Sequence, residues 1–369
     1  MKKLSMLFYV SCLLSIPILS IAETYQITNC YELQEMNNDL SGQYVLTDDI
    51  DCSDTVNWND GKGFAPIGSD IDEVFTGSLN GRHHVIKNLY MDRPDENGVG
   101  LFGIAFSPSK IANIGLVKFK ITGDDDVGSL VGHCAHAVSI TNCFSATGLV
   151  IGNSNCGGLI GRLSSSEAIV ENSYSSVNVC SKFEAGGLIG YNNGSEITNC
   201  YSAGDVFGSG FVGGLVGRDE LGNETYINCF AVGHVFCYPY PFDEMIGGLI
   251  GHSHGSPTII NSYWLDHRFD CADQCVGDYE TECDANARSS LHYFLRSNNE
   301  PMASWDFDDI WDICEGRTLP FLKWQKVSCK KFIPRYWHYD KKNNGKRDRE
   351  PGSTVRTFSI PETSSRPLN

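Results

Sequence analysis

A glycine-flanked leucine returns six times along this chain, in GLFG, SLVG, GLIG, GLIG, GLVG and GLIG. The leucines are Leu101, Leu130, Leu159, Leu188, Leu215 and Leu249, spaced 29, 29, 29, 27 and 34 residues apart. A period in the range of about 20–50 residues marks a stacked-repeat architecture, in which each unit buries its apolar face only against its neighbours. Such a scaffold presents a long regular surface, and any chemistry has to be sought on it separately.

Other positions recur in phase with the leucine. Asparagine returns at Asn88, Asn113, Asn142, Asn172, Asn199, Asn228 and Asn261, mostly inside I-x-N-C/S-Y/F. Two residues earlier stand Ile86, Ile111, Ile140, Val170, Ile197, Tyr226 and Ile259. Two residues later stand Tyr90, Phe144, Tyr174, Tyr201, Phe230 and Tyr263, with Gly115 breaking the column. Seven residues after the asparagine come Leu149, Val179, Val206 and Val235. A spacing of two belongs to strands, and β-branched and aromatic residues suit a pleated surface. Helical spacing is absent from the repeats, and a propeller blade of about 40–45 residues is longer than this unit. The reading is an all-β, right-handed parallel β-helix of about six or seven coils. One full coil supplies the crossover that parallel strands need. The glycines beside the leucine are expected to provide φ > 0 at a coil corner. The asparagines are expected to form a stacked amide ladder or to cap turns, rather than to bind a metal or sugar. Cys143, Ser173, Cys200, Cys229 and Ser262 read as a small-residue stack, with a Cys200–Cys229 disulfide as an option between adjacent coils.

The unit G-G-L-[VI]-G followed by I-x-N-C-Y-S closely resembles the GLUG-motif family of exported bacterial repeat proteins. Tyr25-Gln26-Ile27, Leu33 and Tyr44 to Asp51 resemble the family's opening segment, and Phe75 to Gly81 with Ile86 to Tyr90 its first full coil. Ser262-Tyr263-Trp264, Trp305-Asp306-Phe307, Ile310-Trp311 and Pro320 to Trp324 resemble its closing segment, so the likeness spans roughly residues 24–325. It implies a parallel β-helix, secretion or surface display, and adhesin-like binding. Similar repeats accompany IgA-protease-type metallopeptidases, whose zinc-binding H-E-x-x-H does not occur in this sequence. That departure removes the peptidase reading.

The ends add a frame. Lys2 and Lys3, the apolar run Leu4 to Ile21 and Ser20-Ile21-Ala22 before Glu23 read as a signal peptide over residues 1–22. No second run of about 20 apolar residues follows, so no transmembrane segment is expected in the mature chain. An N-terminal cap region is expected over 23–74, the repeats over 75–264, a Cys-rich insertion and irregular closing segment over 265–325, and a disordered tail over 326–369. Asn29 with Glu32 forms a capping-box pattern for a short cap helix near 30–38, and Ser289 to Arg296 reads as a second short helix. The net charge is -17, but from Lys326 onward eleven Lys/Arg face four Asp/Glu, which leaves -24 on the body. An acidic body argues against a nucleic-acid partner, while the basic tail could touch an anionic surface.

The search for chemistry gives little. His83/His84, His133/His136 and His252/His254 lack a ligand set of the right types and read as solvated turns. Asp124-Asp125-Asp126 and Asp48-Asp49-Asp51 fit no calcium loop. There is no G-x-S-x-G and no P-loop. Cys271-x3-Cys275-x7-Cys283 reads as an oxidised loop staple rather than a zinc site, with Cys30 and Cys52 pinning the N-terminal cap and Cys314 and Cys329 the closing segment. No catalytic residue, metal or cofactor is assigned. The expected function is an exported, non-enzymatic module that binds a host or cell-surface protein or glycan. The alternative is a carbohydrate-active β-helix enzyme using surface carboxylates. Tyr238, Tyr240 and Phe242, in the CYPYPFDE stretch that lengthens the last interval, are the candidate binding residues because aromatics suit such contacts.

Overall fold

The computed structural model describes residues 23–222, 224–237, 245–267, 271–272, 274–277, 286–288, 294–300, 302–327 and 329, which fall almost wholly in the unit Met1–Val327. It is a parallel β-solenoid. Strands from successive coils stack into a nine-stranded sheet, a thirteen-stranded sheet, a five-stranded sheet and a six-stranded sheet. The six-stranded sheet follows the repeat leucines one strand per coil, which gives six turns. All six leucines point inward and are fully buried.

The asparagines turn each coil. Asn113, Asn142, Asn172, Asn199, Asn228 and Asn261 all have φ between 48° and 56°. Among residues other than glycine, asparagine tolerates this left-handed conformation best, because its short side chain can bond locally. The corner also changes which face each residue meets. Ile140 is buried before Asn142, Cys143 is buried immediately after it, and Phe144 turns outward. The period of two expected across the asparagine therefore breaks at the corner. The aliphatic and aromatic columns lie on opposite faces of the wall. The amides do form a ladder in part, with Asn142 Nδ2 donating to Asn113 Oδ1 at 3.0 Å and Asn228 Nδ2 to Asn199 Oδ1 at 3.0 Å.

Two column assignments shift. Beneath Asn113 lies Asn80, whose Oδ1 accepts from Asn113 Nδ2 at 3.1 Å. Asn88 instead belongs to a second left-handed corner in register with Lys118 and Thr147, and Ile86 pairs with Leu116. A bulge between Ala146 and Leu149 puts Val150, not Leu149, in register with Val179.

The glycines beside the leucines do not have positive φ, contrary to expectation. They are glycines because the coils leave no room. A Cβ on Gly186 would lie 1.9 Å from the Ile189 carbonyl oxygen and 2.6 Å from the Gly217 nitrogen, and Gly157 and Gly213 are equally crowded.

At the N-terminal end the strand Thr24–Ile27 begins the nine-stranded sheet, and the helix Cys30–Gln34 covers the first coil with buried Cys30 and Leu33. Asn29 caps it by accepting from the Tyr31 and Glu32 amides, while Glu32 reaches one residue further back, to the Thr28 amide at 2.7 Å. That bond holds the Glu32 carboxyl below its usual range. Cys30 is bonded to Cys52, as the cap reading required. Near the other end Tyr226 replaces the aliphatic residue of its column. Its hydroxyl donates to Asp219 and accepts from Asn192 Nδ2 at 3.0 Å, which satisfies a polar group in a fully buried place.

The closing segment lies along the side of the solenoid rather than simply over its last coil. Phe144, Tyr174, Tyr201, Phe230 and Tyr263 form an outward stack with centroid separations of 5.1, 4.7, 4.6 and 5.1 Å and planes within 10° of parallel. The chain from Trp305 to Gln325 runs back over this stack as a strap. Trp305 sits against Tyr263 and Phe230, Trp311 against Phe230 and Tyr201, and Trp324 against Tyr174 and Phe144. The indole nitrogens of Trp305 and Trp324 donate to the carbonyls of Asn261 and Asn172 at 2.8 and 3.1 Å, and that of Trp311 to Asn199 Oδ1 at 3.3 Å. Each indole thus docks on a corner asparagine.

Cys271 pairs with Cys237 on the preceding coil, Val276 pairs with Ile250, and Cys275 is also disulfide-bonded. The stretch read as a local staple thus adds a partial rung to the stack. Cys314 and Cys329 are disulfide-bonded as well. Cys200 and Cys229 are free and buried, so the inter-coil disulfide is not formed. Their thiols bond to backbone carbonyls of their own coil and the coil before instead. The expected signal peptide, the helix residues 289–293, Cys283 and the tail from 330 onward lie outside the described residues. Among the described residues no helix is long and apolar enough to cross a membrane.

Two outcomes test this packing. Gly186→Ala should lower unfolding free energy by about 3 kcal/mol or more, since backbone atoms must move. Asn228→Gly should cost about 1 kcal/mol for the lost amide bond, and Asn228→Ala about 1 kcal/mol beyond that for its left-handed φ. Urea titrations of the three variants give the order. Burial pushes the Cys143 and Cys229 thiols up to about 12. Both should resist a thiol-exchange reagent at pH 8 until the chain unfolds, with the less buried Cys180 labelled before them.

Candidate binding face

The residue three places after each repeat leucine projects outward from the six-stranded sheet, opposite in direction to the leucine itself. These residues are Ile104, His133, Arg162, Tyr191, Arg218 and His252, and each pairs in register with the next. Beside them the five-stranded sheet presents Asp126, Asn155, Glu184, Phe211 and Met245, each one residue before a buried Val, Cys, Ala or Ile. Small turns between the two sheets bring the two rows together.

Planar groups stack along the first row. The guanidinium carbons of Arg162 and Arg218 lie 4.7 and 5.7 Å from the Tyr191 ring, one coil to either side. Arg218 is also 5.2 Å from the Phe211 ring, and Phe211 is 4.7 Å from His252. Such cation–π contacts hold long side chains in place at a modest gain of about 0.5–1 kcal/mol each.

The two arginines differ in their partners. Arg218 meets Glu220 at 2.8 Å, Glu184 at 3.8 Å and His254 Nε2 at 3.0 Å. Arg162 donates through Nε to Ser164 at 3.0 Å, and no carboxylate lies within ion-pair distance of it among the described residues. Its two terminal amino groups have no hydrogen-bond partner there. A planar guanidinium with both terminal N–H pairs available suits a bidentate carboxylate. Beside it, His133 Nε2 contacts the same Ser164 hydroxyl at 2.8 Å, and its Nδ1 lies 3.8 Å from Asp126 Oδ2.

Burial governs the titration here. It raises the Asp126 carboxyl above its usual range, against the pull of His133 and the Asn155 amide. It lowers the His133 imidazole below 6.5, opposed by Asp126 and helped by the charge of Arg162. Folding therefore disfavours charged His133, and this group's contribution to stability falls as pH drops below 6.5.

Tyr238, Tyr240 and Phe242, expected to form the binding site, lie outside the described residues. His133 and His252, read as turn histidines, stand instead at one repeat position on strands. His252 and His254 do approach each other, at 4.7 Å between centroids. No group of three or more metal-ligating side chains forms among the described residues. His83/His84 and Asp48-Asp49-Asp51 belong to the N-terminal coils, where Asp49 binds Lys87 at 2.7 Å. The position three after the leucine was the available signal for this face, but its residue types change from coil to coil.

The fold and this face define a parallel β-solenoid repeat protein. Residues 183–206 match the family model described as the GLUG motif, so the chain carries that motif. A 128-residue stretch is 41% identical to halomucin of Haloquadratum walsbyi, over 32% of this chain and 1% of halomucin. The chain thus spans a very small part of that relative. In structure it is similar to a Bacteroides ovatus protein provisionally named an immunoglobulin A1 protease, with a TM-score of 0.61 at 20% identity, over 82% of this chain and 93% of that one. It is also similar to an IgA1 protease, with a TM-score of 0.51 at 17% identity, over 71% of this chain and 21% of that one. Both are likenesses of fold.

Removing the carboxylate next to His133 exposes the balance described above. In Asp126→Asn, which keeps an amide at a position with φ 58°, the His133 pKa should fall further below its wild-type value. A rise in the NMR titration of that ring would contradict the account.

Proposed function

We propose that this protein is an exported, non-catalytic binding module that engages a cell-surface protein or glycan through the Arg162–Tyr191–Arg218 face. The observation that carries the reading is that the two terminal amino groups of Arg162 have no partner among the described residues. They sit in a row whose other cation, Arg218, is neutralised by Glu184 and Glu220. A partner bearing a carboxylate finds one guanidinium open and pre-oriented by Tyr191, so little side-chain entropy is lost on contact.

The carboxylates of the face support binding over catalysis. Asp126 accepts from Asn155 at 2.7 Å, Glu184 accepts from Ser154 and meets Arg218, and Glu220 meets Arg218. Export is supported by the disulfides Cys30–Cys52 and Cys237–Cys271, which persist in oxidising compartments. The similarity to halomucin points the same way.

The test is a glycan array and a surface-binding assay on intact cells, run with the full chain and with Arg162→Ala and Tyr191→Ala. Each variant should lose on the order of tenfold or more in apparent affinity. Binding that is unchanged in both variants, or hydrolysis of a bound glycan by the unmodified chain, would overturn the reading.

A further inference from the structure

The strap leaves one place on the outer wall uncovered. The aromatic stack ends at Phe144, because the next position toward the N-terminus is Gly115, where a Cβ would meet the Phe144 ring at 2.1 Å. Trp324 is the strap's last aromatic, 5.8 Å from Phe144 and 5.9 Å from Tyr174. From an earlier coil His83 stacks toward the same indole, 6.2 Å away with planes 24° apart. Between these groups lies a half-open pocket of about 170 Å³ whose lining includes His83, Asn142, Phe144, Tyr174 and Trp324.

One wall of the pocket is ring faces, and the other is the amide ladder at the point where it stops. Asn142 donates its amide to Asn113, but its Oδ1 accepts no hydrogen bond among the described residues. No amide of the next coil donates to it among the described residues, and the Oδ1 of Asn172 one coil on is likewise buried without a partner. The His83 ring nitrogens are likewise unbonded among those residues. No Asp, Glu, Lys or Arg lines the pocket.

We infer that this notch is a subsite for one neutral pyranose ring, at the end of a longer saccharide or as a free sugar. A pyranose has a face of C–H groups, which suits the aromatic wall, and an edge of hydroxyls, which both donate and accept. Its hydroxyls would satisfy the Asn142 oxygen and a His83 nitrogen, groups that an apolar side chain would leave desolvated and unpaired. An anionic sugar finds no cation here. The notch lies on the thirteen-stranded sheet, away from the Arg162 row on the six-stranded sheet, so the two sites stand or fall separately.

Trp324 is its own reporter. In indole-labelled NMR spectra of the full chain, glucose, galactose, mannose, N-acetylglucosamine and N-acetylgalactosamine are titrated to on the order of tens of millimolar, the weak range of a ligand this small. At least one should shift the Trp324 indole resonance saturably while Trp58 and Trp305 stay in place. His83→Gly and Asn142→Gly remove the two hydrogen-bonding groups and tolerate the positive φ, at 67° and 54°. Each should weaken that sugar about fivefold, the loss of one hydrogen bond. The inference is overturned if no sugar gives a saturable shift, or if both variants bind that sugar as tightly as the unmodified chain. It is also overturned if an uncharged proline-rich peptide moves the indole where the sugars do not.

Discussion

The left-handed corner at the asparagine decides what the rest of the molecule does. A strand that ran straight through that position would keep its aliphatic and aromatic columns on one face. The corner instead sends Ile140 and Cys143 inward and Phe144 outward. Repeated from Asn113 to Asn261, it gives an aliphatic and thiol interior and an exposed column of rings. Asparagine serves twice in this, since the side chain that tolerates positive φ also bridges to the neighbouring coil.

The exposed rings then demand a cover. A continuous stripe from Phe144 to Tyr263 would be a large apolar patch of the kind that binds other chains. The strap answers it with three indoles in a row, and the result is a second apolar core outside the solenoid, with Trp311, Phe230 and Tyr263 fully buried. Burial there pushes the Tyr201 and Tyr263 hydroxyls well above their ordinary range, with Gln325 supplying Tyr201 a partner at 3.0 Å. The strap consequently fixes one wall and leaves the leucine wall open. On that wall the outward residue varies from coil to coil, from Ile104 to His252.

The leucine period and the asparagine column were legible because each repeats one residue type under one local demand. The glycines were legible as a column but not in their cause. Crowding against the next coil and positive φ both select glycine, and only the 1.9 Å approach at Gly186 separates them. The placement of Asn88 failed because an insertion in the first coil moves Asn80 into its place, and a one-sequence register has no means to see that. The strap could be recognised as a closing segment by its tryptophans, but its course depends on contacts such as Trp324 with Asn172, 152 residues apart. The outward row on the six-stranded sheet was invisible for a different reason. Histidine, arginine and tyrosine share no type, only planarity and an outward position.

That last point bears on how the outer face of such a repeat can change. Inside, the stacking distance between parallel strands of about 4.8 Å holds Leu, Gly and Asn nearly fixed. Outside, the same spacing needs only groups that can lie face to face, and Arg162, Tyr191 and Arg218 meet that need with different charge and hydrogen-bonding capacity. A change at one rung alters the chemistry of the face and leaves the register intact. The unequal pairing of the two arginines is such a change. Ser164 stands two residues after Arg162, where Glu220 stands two after Arg218, and Glu184 adds a second carboxylate to Arg218 alone. Replacing Ser164 by an acidic residue would pair that guanidinium without touching the core, so the charge of the face is set by the rung and stability by the coil.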